Sequence, residues 1–343
     1  MSQIHIPYMQ RCIELAQEGM GYVSPNPMVG CVIVHQNKII AEGYHKKFGG
    51  AHAEVEAINQ LKDKSILKEC TLYVSLEPCA HSGKTPPCAN LIVEHGLKEV
   101  VIGTKDPNEK VNGKGIEILE KAGIKVTHGV LQEECIFLNR RFFVFHKEKR
   151  PYIILKWAQT QNGLMAGGVN DPKYISGKDT LKQVHKWRHE EDAFMVGTNT
   201  VRIDNPFLTN RHWIGTQPLR ISIDRNLDFD TSFNILNEEA NTLIFNSKEN
   251  KKEKNIEWLI ADMEFNFGPS FTRALYERNI QSVVIEGGKI LLNYFIKKGL
   301  WDEARVFVSK EKSFLMGLKA PSIEMDPVEV VEMQEDNLTY FFR

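Results

Sequence analysis

Four residues of this 343-residue chain are of the types that run hydrolytic chemistry at a metal: His52, Glu54, Cys79 and Cys88. One imidazole and two thiolates make three good zinc ligands, and a hydrolytic zinc site needs three protein ligands with a fourth position open to water. The same donor set suits zinc better than magnesium or calcium, which take oxygen ligands. Zinc makes water nucleophilic near neutral pH by lowering its pKa. A deamination also needs a group that takes the proton of the attacking water and hands it to the leaving amine, and Glu54 is of the right type for that. Positions i and i+2 do not share a helix face. His52 and Glu54 therefore converge only at a helix N-terminus, with the metal over the helix end. Gly49-Gly50 ahead of His52 and the pattern AEVEAINQL after it predict such a terminus. Cys88 opens a second predicted helix behind Pro86-Pro87, where the dipole stabilises a thiolate.

An H-x-E followed by P-C-x-x-C marks the zinc deaminases of nucleobases. Here His52-Ala53-Glu54 and Pro78-Cys79 are present, but eight residues separate Cys79 from Cys88 rather than two. The polar spacer must lie at the metal. It holds His81, Lys84 and Thr85, and a lysine with a hydroxyl can grip a phosphate by charge and hydrogen bonding. The spacing thus predicts a substrate-phosphate clamp. A zinc-stabilised binding module is the competing class. It needs a fourth protein ligand, for which His81 is the one spare candidate, and it has no use for Glu54.

The elements that must position these groups alternate. Helical patterns at 7–19, 53–61, 88–94 and 115–121 alternate with strand patterns at 29–35, 72–75, 100–103 and 125–128. Short apolar strands between helices predict a mostly parallel sheet covered on both faces. Pro151 restarts a strand after the charged run HKEKRP, which places a domain boundary near residue 147 and gives domains 1–147 and 148–343. The second half repeats the α/β alternation through YIILKWA, AFMVG, LRISID, TLIFN and SVVIEGG, with helices near 178–188 and 270–279 and a last strand near ARVFV. The run SKENKKEKN reads as a solvated loop.

The bulk numbers exclude several classes. With 42% apolar and 25% charged residues the chain is an ordinary globular one, and a net charge of −1 lacks the basic surplus of proteins that track nucleic acid. No apolar run reaches the ~18 residues of a membrane span, and the N-terminus has helical periodicity rather than the pattern of a signal peptide. Six cysteines without a secretory signal do not predict a disulfide framework. Cys12 and Cys31, in apolar runs, read as small core residues.

In the second half no G-x-G-x-x-G follows a strand, so a dinucleotide-binding Rossmann domain is not predicted. A strand instead ends in Glu286-Gly287-Gly288 and enters an amphipathic helix; glycines there let a phosphate reach backbone N–H groups. Thr198-Asn199-Thr200 and Asp204-Asn205-Pro206 follow another strand, and Arg188 and Arg211 are candidate phosphate anchors.

Taken in order, these motifs resemble one family, the bifunctional deaminase–reductases of riboflavin biosynthesis. They are Pro25-Asn26-Pro27-Met28-Val29-Gly30, Gly43-Tyr44-His45, His52-Ala53-Glu54, Glu77 to Cys88 with its long spacer, and Asp106-Pro107-Asn108. The resemblance runs over nearly the whole chain. It implies a cytidine-deaminase-like α/β/α three-layer domain followed by a dihydrofolate-reductase-like α/β domain. It implies zinc and NADPH as cofactors, a pyrimidine nucleotide as substrate, a cytoplasmic location, and association as a dimer or tetramer through the reductase half. Asn26 and His45 take the place of pyrimidine-site groups, and His81 that of a further substrate contact. Lys84, Thr85, Asp106 and Asn108 take that of ribose and phosphate contacts. In the reductase half, Arg188, Leu208, Arg211 and Glu286 match substrate positions. Lys156, Ala158, Tyr174, Thr200, Asp204, Gly287 and Gly288 match cofactor positions. One stretch departs: where the family carries Ser-x-Trp, this chain has Pro172 and Tyr174. A tyrosine ring can stack in place of tryptophan, but proline donates no hydroxyl hydrogen bond. The alternative reading keeps the zinc deaminase of nucleosides or nucleotides and gives the second half a repurposed NADPH-binding fold.

Overall fold

The computed structural model describes residues 3–80, 86–109, 111–168, 171–172, 175–263 and 266–343. The chain divides into two compact units, Met1–Lys149 and Arg150–Arg343.

The first unit runs α1 (Ile6–Gln17), β1 (Gly30–His35), β2 (Lys38–Tyr44), α2 (Ala53–Gln60), β3 (Thr71–Leu76), α3 (Cys88–Glu94), β4 (Glu99–Thr104), α4 (Lys114–Lys121), β5 (Lys125–His128), α5 (Gln132–Leu138) and α6 (Arg140–Glu148). Its sheet has the order β2-β1-β3-β4-β5. Pairs β3–β4 and β4–β5 are parallel, but β1 is antiparallel to both β2 and β3. The expected mostly parallel sheet is therefore only half parallel. The hairpin strand β2, which the sequence pattern did not predict, accounts for the difference: its first residues are exposed and its apolar run is broken by glycine. Successive strand side chains point to opposite faces, and each face has its own core. Cys31 and Ile33, Leu72 and Val74, and Val100 and Ile102 pack against α2, α3 and α4 through Ala57, Ile58, Ala89, Ile92, Ile116 and Leu119. Val32, Val34, Tyr73 and Val101 pack against α1 and α5 through Met9, Cys12, Ile13, Ala16 and Cys135. Three layers result, and Cys12 and Cys31 sit fully buried as core residues.

The second unit runs β6 (Tyr152–Gln159), β7 (Leu164–Ala166), α7 (Lys178–Glu190), β8 (Ala193–Val196), α8 (Thr198–Asp204), β9 (Leu219–Ile223), β10 (Thr242–Asn246), β11 (Lys251–Glu253), β12 (Ile256–Ile260), α9 (Phe267–Glu277), β13 (Ser282–Glu286), α10 (Lys289–Lys298), β14 (Glu303–Ser309), β15 (Leu318–Lys319), β16 (Glu329–Glu332) and β17 (Asp336–Phe342). The main sheet has the order β11-β12-β10-β9-β8-β13-β6-β14-β17-β16. Its centre, β12 to β14, is parallel throughout, and antiparallel strands close both edges. Ile153, Leu155, Val283, Ile285, Met195 and Phe245 pack on one face against Phe271, Leu275, Leu292 and Phe295 of α9 and α10. Two corrections follow. The chain does not end its sheet at β14, since β16 and β17 add an antiparallel edge beyond it. The charged run 247–255 is exposed but contains the short edge strand β11, held antiparallel to β12.

Candidate active sites

In the first unit three side chains meet where two helices begin. His52 is the N-cap of α2, in extended conformation with φ −75° and ψ 162°. Cys88 is the first residue of α3, and Cys79 follows the end of β3. His52 Nδ1 lies 3.6 Å from Cys79 Sγ and 3.3 Å from Cys88 Sγ, and all three ligand atoms lie within 4.8 Å of one another. Tetrahedral zinc with its usual bond lengths sets N···S edges of about 3.5 Å, so the donor set fits in type and in span. The Cys88 N–H points at Cys79 Sγ, 3.3 Å away. Hydrogen bonding from the Cys88 thiol holds the Cys79 pKa down at about 4, and that same bond pushes Cys88 up. Glu54, in the first turn of α2, is 3% exposed. Burial pushes its carboxyl up, and the Cys79 charge adds to this.

Asn26 and His45 stand beside this triad. His45 Nδ1 lies 2.8 Å from Ala51 O, and Nε2 lies 3.0 Å from Asn26 Nδ2. A carbonyl only accepts, so Nδ1 carries the proton and Nε2 accepts from the Asn26 amide. The His45 ring stands edge-on to that of His52 at 5.6 Å, and burial lowers its pKa. Asp106 is 7% exposed, and its carboxylate accepts from Asn108 N–H at 2.7 Å. Burial, helped by the charge of Glu77, raises the Asp106 pKa to about 7. His81, Lys84 and Thr85 lie outside the described residues.

In the second unit the carboxyl end of β13 meets the middle of the adjacent parallel strand β6 and brings two predicted residues together. Lys156 of β6 pairs in register with Glu286 of β13. Lys156 Nζ lies 3.5 Å from Glu286 Oε1, and Arg188 Nη2 of α7 lies 3.5 Å from Oε2. Burial alone would raise the Glu286 carboxyl, but the two cations hold it below its usual value. Ligands of open α/β sheets bind outside such strand ends. Gly287 and Gly288 follow at φ +66° and +64°, a region that disfavours side chains. A Cβ on Gly287 would sit 3.2 Å from Thr200 Oγ1, so Thr200 closes one side of a bare backbone cradle at the start of α10. Arg188 Nη1 donates to Thr209 O at 3.0 Å, and Arg211 Nη1 donates to Thr209 Oγ1 at 3.2 Å, which draws both arginines to one loop residue. Asp204 ends α8 on the exposed surface. Ala158 packs against Leu164, Ile175 and Phe314. Leu208 departs from a simple contact role: it is 1% exposed, with φ +54°, and its side chain joins Val196, Val201 and Ile235 in a small core. Only its main chain is left for a ligand. Pro172 is exposed, and Tyr174 lies outside the described residues.

Sequence reasoning missed two residues that order these loops. Glu77 is 3% exposed and accepts four backbone N–H groups. His185, fully buried in α7, accepts the backbone N–H of Arg211 at 2.8 Å and of His212 at 3.3 Å on Nδ1. A buried-type glutamate ahead of Pro-Cys was the one available signal for the first; nothing in the sequence points to the second.

Comparison with known proteins agrees with this geometry. Residues 2–104 match the zinc-binding region of cytidine and deoxycytidylate deaminases, and residues 151–336 match the RibD C-terminal domain. The chain is 44% identical over 310 residues to the riboflavin biosynthesis protein RibD of Aquifex aeolicus, covering 88% of this chain and 86% of that one. It is 32% identical over 324 residues to RibD of Escherichia coli, with coverages of 88% and 86%. A crystal structure of a diaminohydroxyphosphoribosylaminopyrimidine deaminase/5-amino-6-(5-phosphoribosylamino)uracil reductase from Thermotoga maritima matches with a TM-score of 0.89 at 39% identity, over 98% of both chains. With a His/Cys/Cys triad in one unit, a lysine–glutamate–arginine cluster in the other, and RibD relatives matched along most of its length, this protein belongs to the RibD family of bifunctional deaminase–reductases in riboflavin biosynthesis.

Proposed function

We propose that the first unit deaminates 2,5-diamino-6-(ribosylamino)-4-pyrimidinone 5′-phosphate, and that the second reduces the ribosyl group of the product to a ribityl chain with NADPH. One observation carries the reading: His52 Nδ1, Cys79 Sγ and Cys88 Sγ converge beside the buried carboxyl of Glu54. His52, Cys79 and Cys88 would hold the zinc, which would supply the Lewis acidity that makes water nucleophilic at neutral pH. Glu54 takes the proton of that water and returns it to the leaving amine. One C–N bond is replaced by C–O, one water is consumed, and ammonia leaves. Asn26 and His45 hold the ring; the fixed Nδ1–H tautomer of His45 keeps its Nε2 side turned to Asn26. Lys84, Thr85, Asp106 and Asn108 hold the ribose and phosphate, and His81 completes the substrate site.

In the second unit NADPH supplies the hydride. Gly287 and Gly288 form the bare backbone cradle for it, with Thr200 at one side and Lys156, Ala158, Tyr174 and Asp204 completing its site. Arg188 and Arg211 anchor the substrate phosphate, Glu286 orients the sugar, and Leu208 contributes main chain. The reading includes a cytoplasmic location, which suits a protein whose six cysteines are all free. It also includes association through the reductase unit, which is supported by the exposed Val328, Val330 and Val331 on and beside the edge strand β16. Among the described residues no helix is long and apolar enough to cross a membrane.

The test uses zinc-loaded protein and the diaminopyrimidinone nucleotide, first without and then with NADPH. Ammonia release without NADPH, followed by nicotinamide oxidation only after deamination, is the expected result. Ammonia release with no oxidation would sink the reductase assignment. No ammonia at all would sink the substrate.

A further inference from the structure

Glu77 stands two residues before Cys79, in β3's outgoing turn, and takes no part in the chemistry assigned above. Its carboxylate faces donors only, among the described residues. Oε2 accepts from Asp106 N–H at 3.2 Å and Gly113 N–H at 3.0 Å. Oε1 accepts from Gly115 N–H at 3.0 Å and Ile116 N–H at 3.3 Å. Three of these donors lie at or just before the first turn of α4, where helix N–H groups have no partner of their own. The fourth belongs to Asp106 itself. The contact beneath is equally close: a Cβ on Gly115 would sit 2.1 Å from Pro78 O, so the backbone of the zinc loop rests directly on the start of α4.

We propose that Glu77 is a positioning residue of the deaminase site, whose buried carboxylate fastens the Pro78-Cys79 zinc loop to the loop carrying Asp106 and Asn108 and so sets the span between metal and substrate ribose-phosphate. This rests on the reading of Asp106 and Asn108 as substrate contacts. The carboxylate is specific to the task. Glutamine has the same shape but turns an NH2 toward two N–H donors, and a buried donor facing donors loses its partner outright.

The experiment compares E77Q, G115A, D106A and the E77Q/D106A double variant in full-length zinc protein. Reductase activity on the deaminated nucleotide, in the same preparations, reports that the chain has folded. E77Q is expected to keep stoichiometric zinc and reductase activity while its deaminase KM rises by at least about tenfold with little change in kcat. Hydrogen exchange over residues 105–117 is expected to speed up, and G115A to reproduce both effects. D106A is expected to raise KM as well, and the double variant to be little worse than the poorer single one, because both act through the same loop. An unchanged KM in E77Q beside an impaired D106A overturns the inference alone. So does full additivity in the double variant, or a loss of zinc and kcat in step with KM, which marks a merely structural role. A D106A variant with normal KM overturns instead the reading of that loop as a substrate contact, and the inference with it.

Discussion

At the scale of single residues, identity and burial separate roles that spacing leaves equal. Glu54 is sealed from solvent and biased toward its protonated form, which suits a group that must both take and give a proton. E54Q is expected to keep zinc and all reductase activity while ammonia release falls by about 10²–10⁴-fold; zinc analysis and the two assays on one preparation check this. Glu286 carries a different load. Its charge is stabilised by Lys156 and Arg188, so E286A takes that partner from the buried Arg188 and the half-buried Lys156. A loss of about 3–5 kcal/mol is expected for a broken buried ion pair, read as a lower urea midpoint of the second unit; E286Q should lose less. The meeting of His52, Cys79 and Cys88 beside Glu54 was legible because the chemistry of such a set is written in residue type. Glu77 and His185 were not, because both serve backbone N–H groups delivered by distant segments, and a backbone donor leaves no mark in a sequence. Leu208 shows the converse: the motif marks the position, yet the side chain belongs to the core.

At the scale of elements, strands buried on both faces were easy to read. Val29–His35, Leu72–Ser75 and Val100–Gly103 were expected almost where β1, β3 and β4 lie, and Cys88–Glu94 where α3 lies. The strands β2, β16 and β17 and the helices α5 and α6 escaped, because they are half-exposed or rich in charge and their apolar periodicity is broken. Element pairing also sets a pH response. Burial first, then the neighbouring Arg188, His212 and Arg211, lower the His185 pKa to about 4. The unfolded chain therefore binds a proton at His185 below its ordinary value near 6.5, while the folded chain resists until about pH 4. Stability from this group is full above the unfolded pKa and drains away as pH falls through that window. The gap in urea midpoint between wild type and H185L is expected to be wider at pH 7 than at pH 4.5. The α10 cradle gives another test. G288A forces a side chain into left-handed backbone and toward Thr200 Oγ1 at 3.3 Å, which costs about 1–2 kcal/mol of conformational strain. Its KM for NADPH should rise while deamination stays unchanged.

At the scale of the whole molecule, each unit has its own cores and its own chemistry, so the two activities should separate cleanly. Removing zinc with a chelator is expected to abolish ammonia release and lower the melting temperature of the first unit, while NADPH oxidation on the deaminated nucleotide continues. Loss of both activities together would show that the units depend on each other. The two-unit plan was legible from the restart at Pro151 and the repeated alternation. The ten-strand width of the second sheet was not, since strand order depends on pairings between remote segments.

Those remote pairings bear on how the protein is made. The first unit draws its whole sheet from residues 1–149, so it is complete once that stretch has left the ribosome. The second cannot close so early. Its first strand, β6, lies between β13 and β14, and Arg150 at its entrance is clamped by Asp302, 152 positions later. Until β13 is translated, β6 has neither of its sheet neighbours and β8 has only β9, and unpaired strand edges are where nascent chains aggregate. Manufacture thus follows the order of the chemistry: the half that acts first has all its strands first, and the half that acts second waits with an open strand edge.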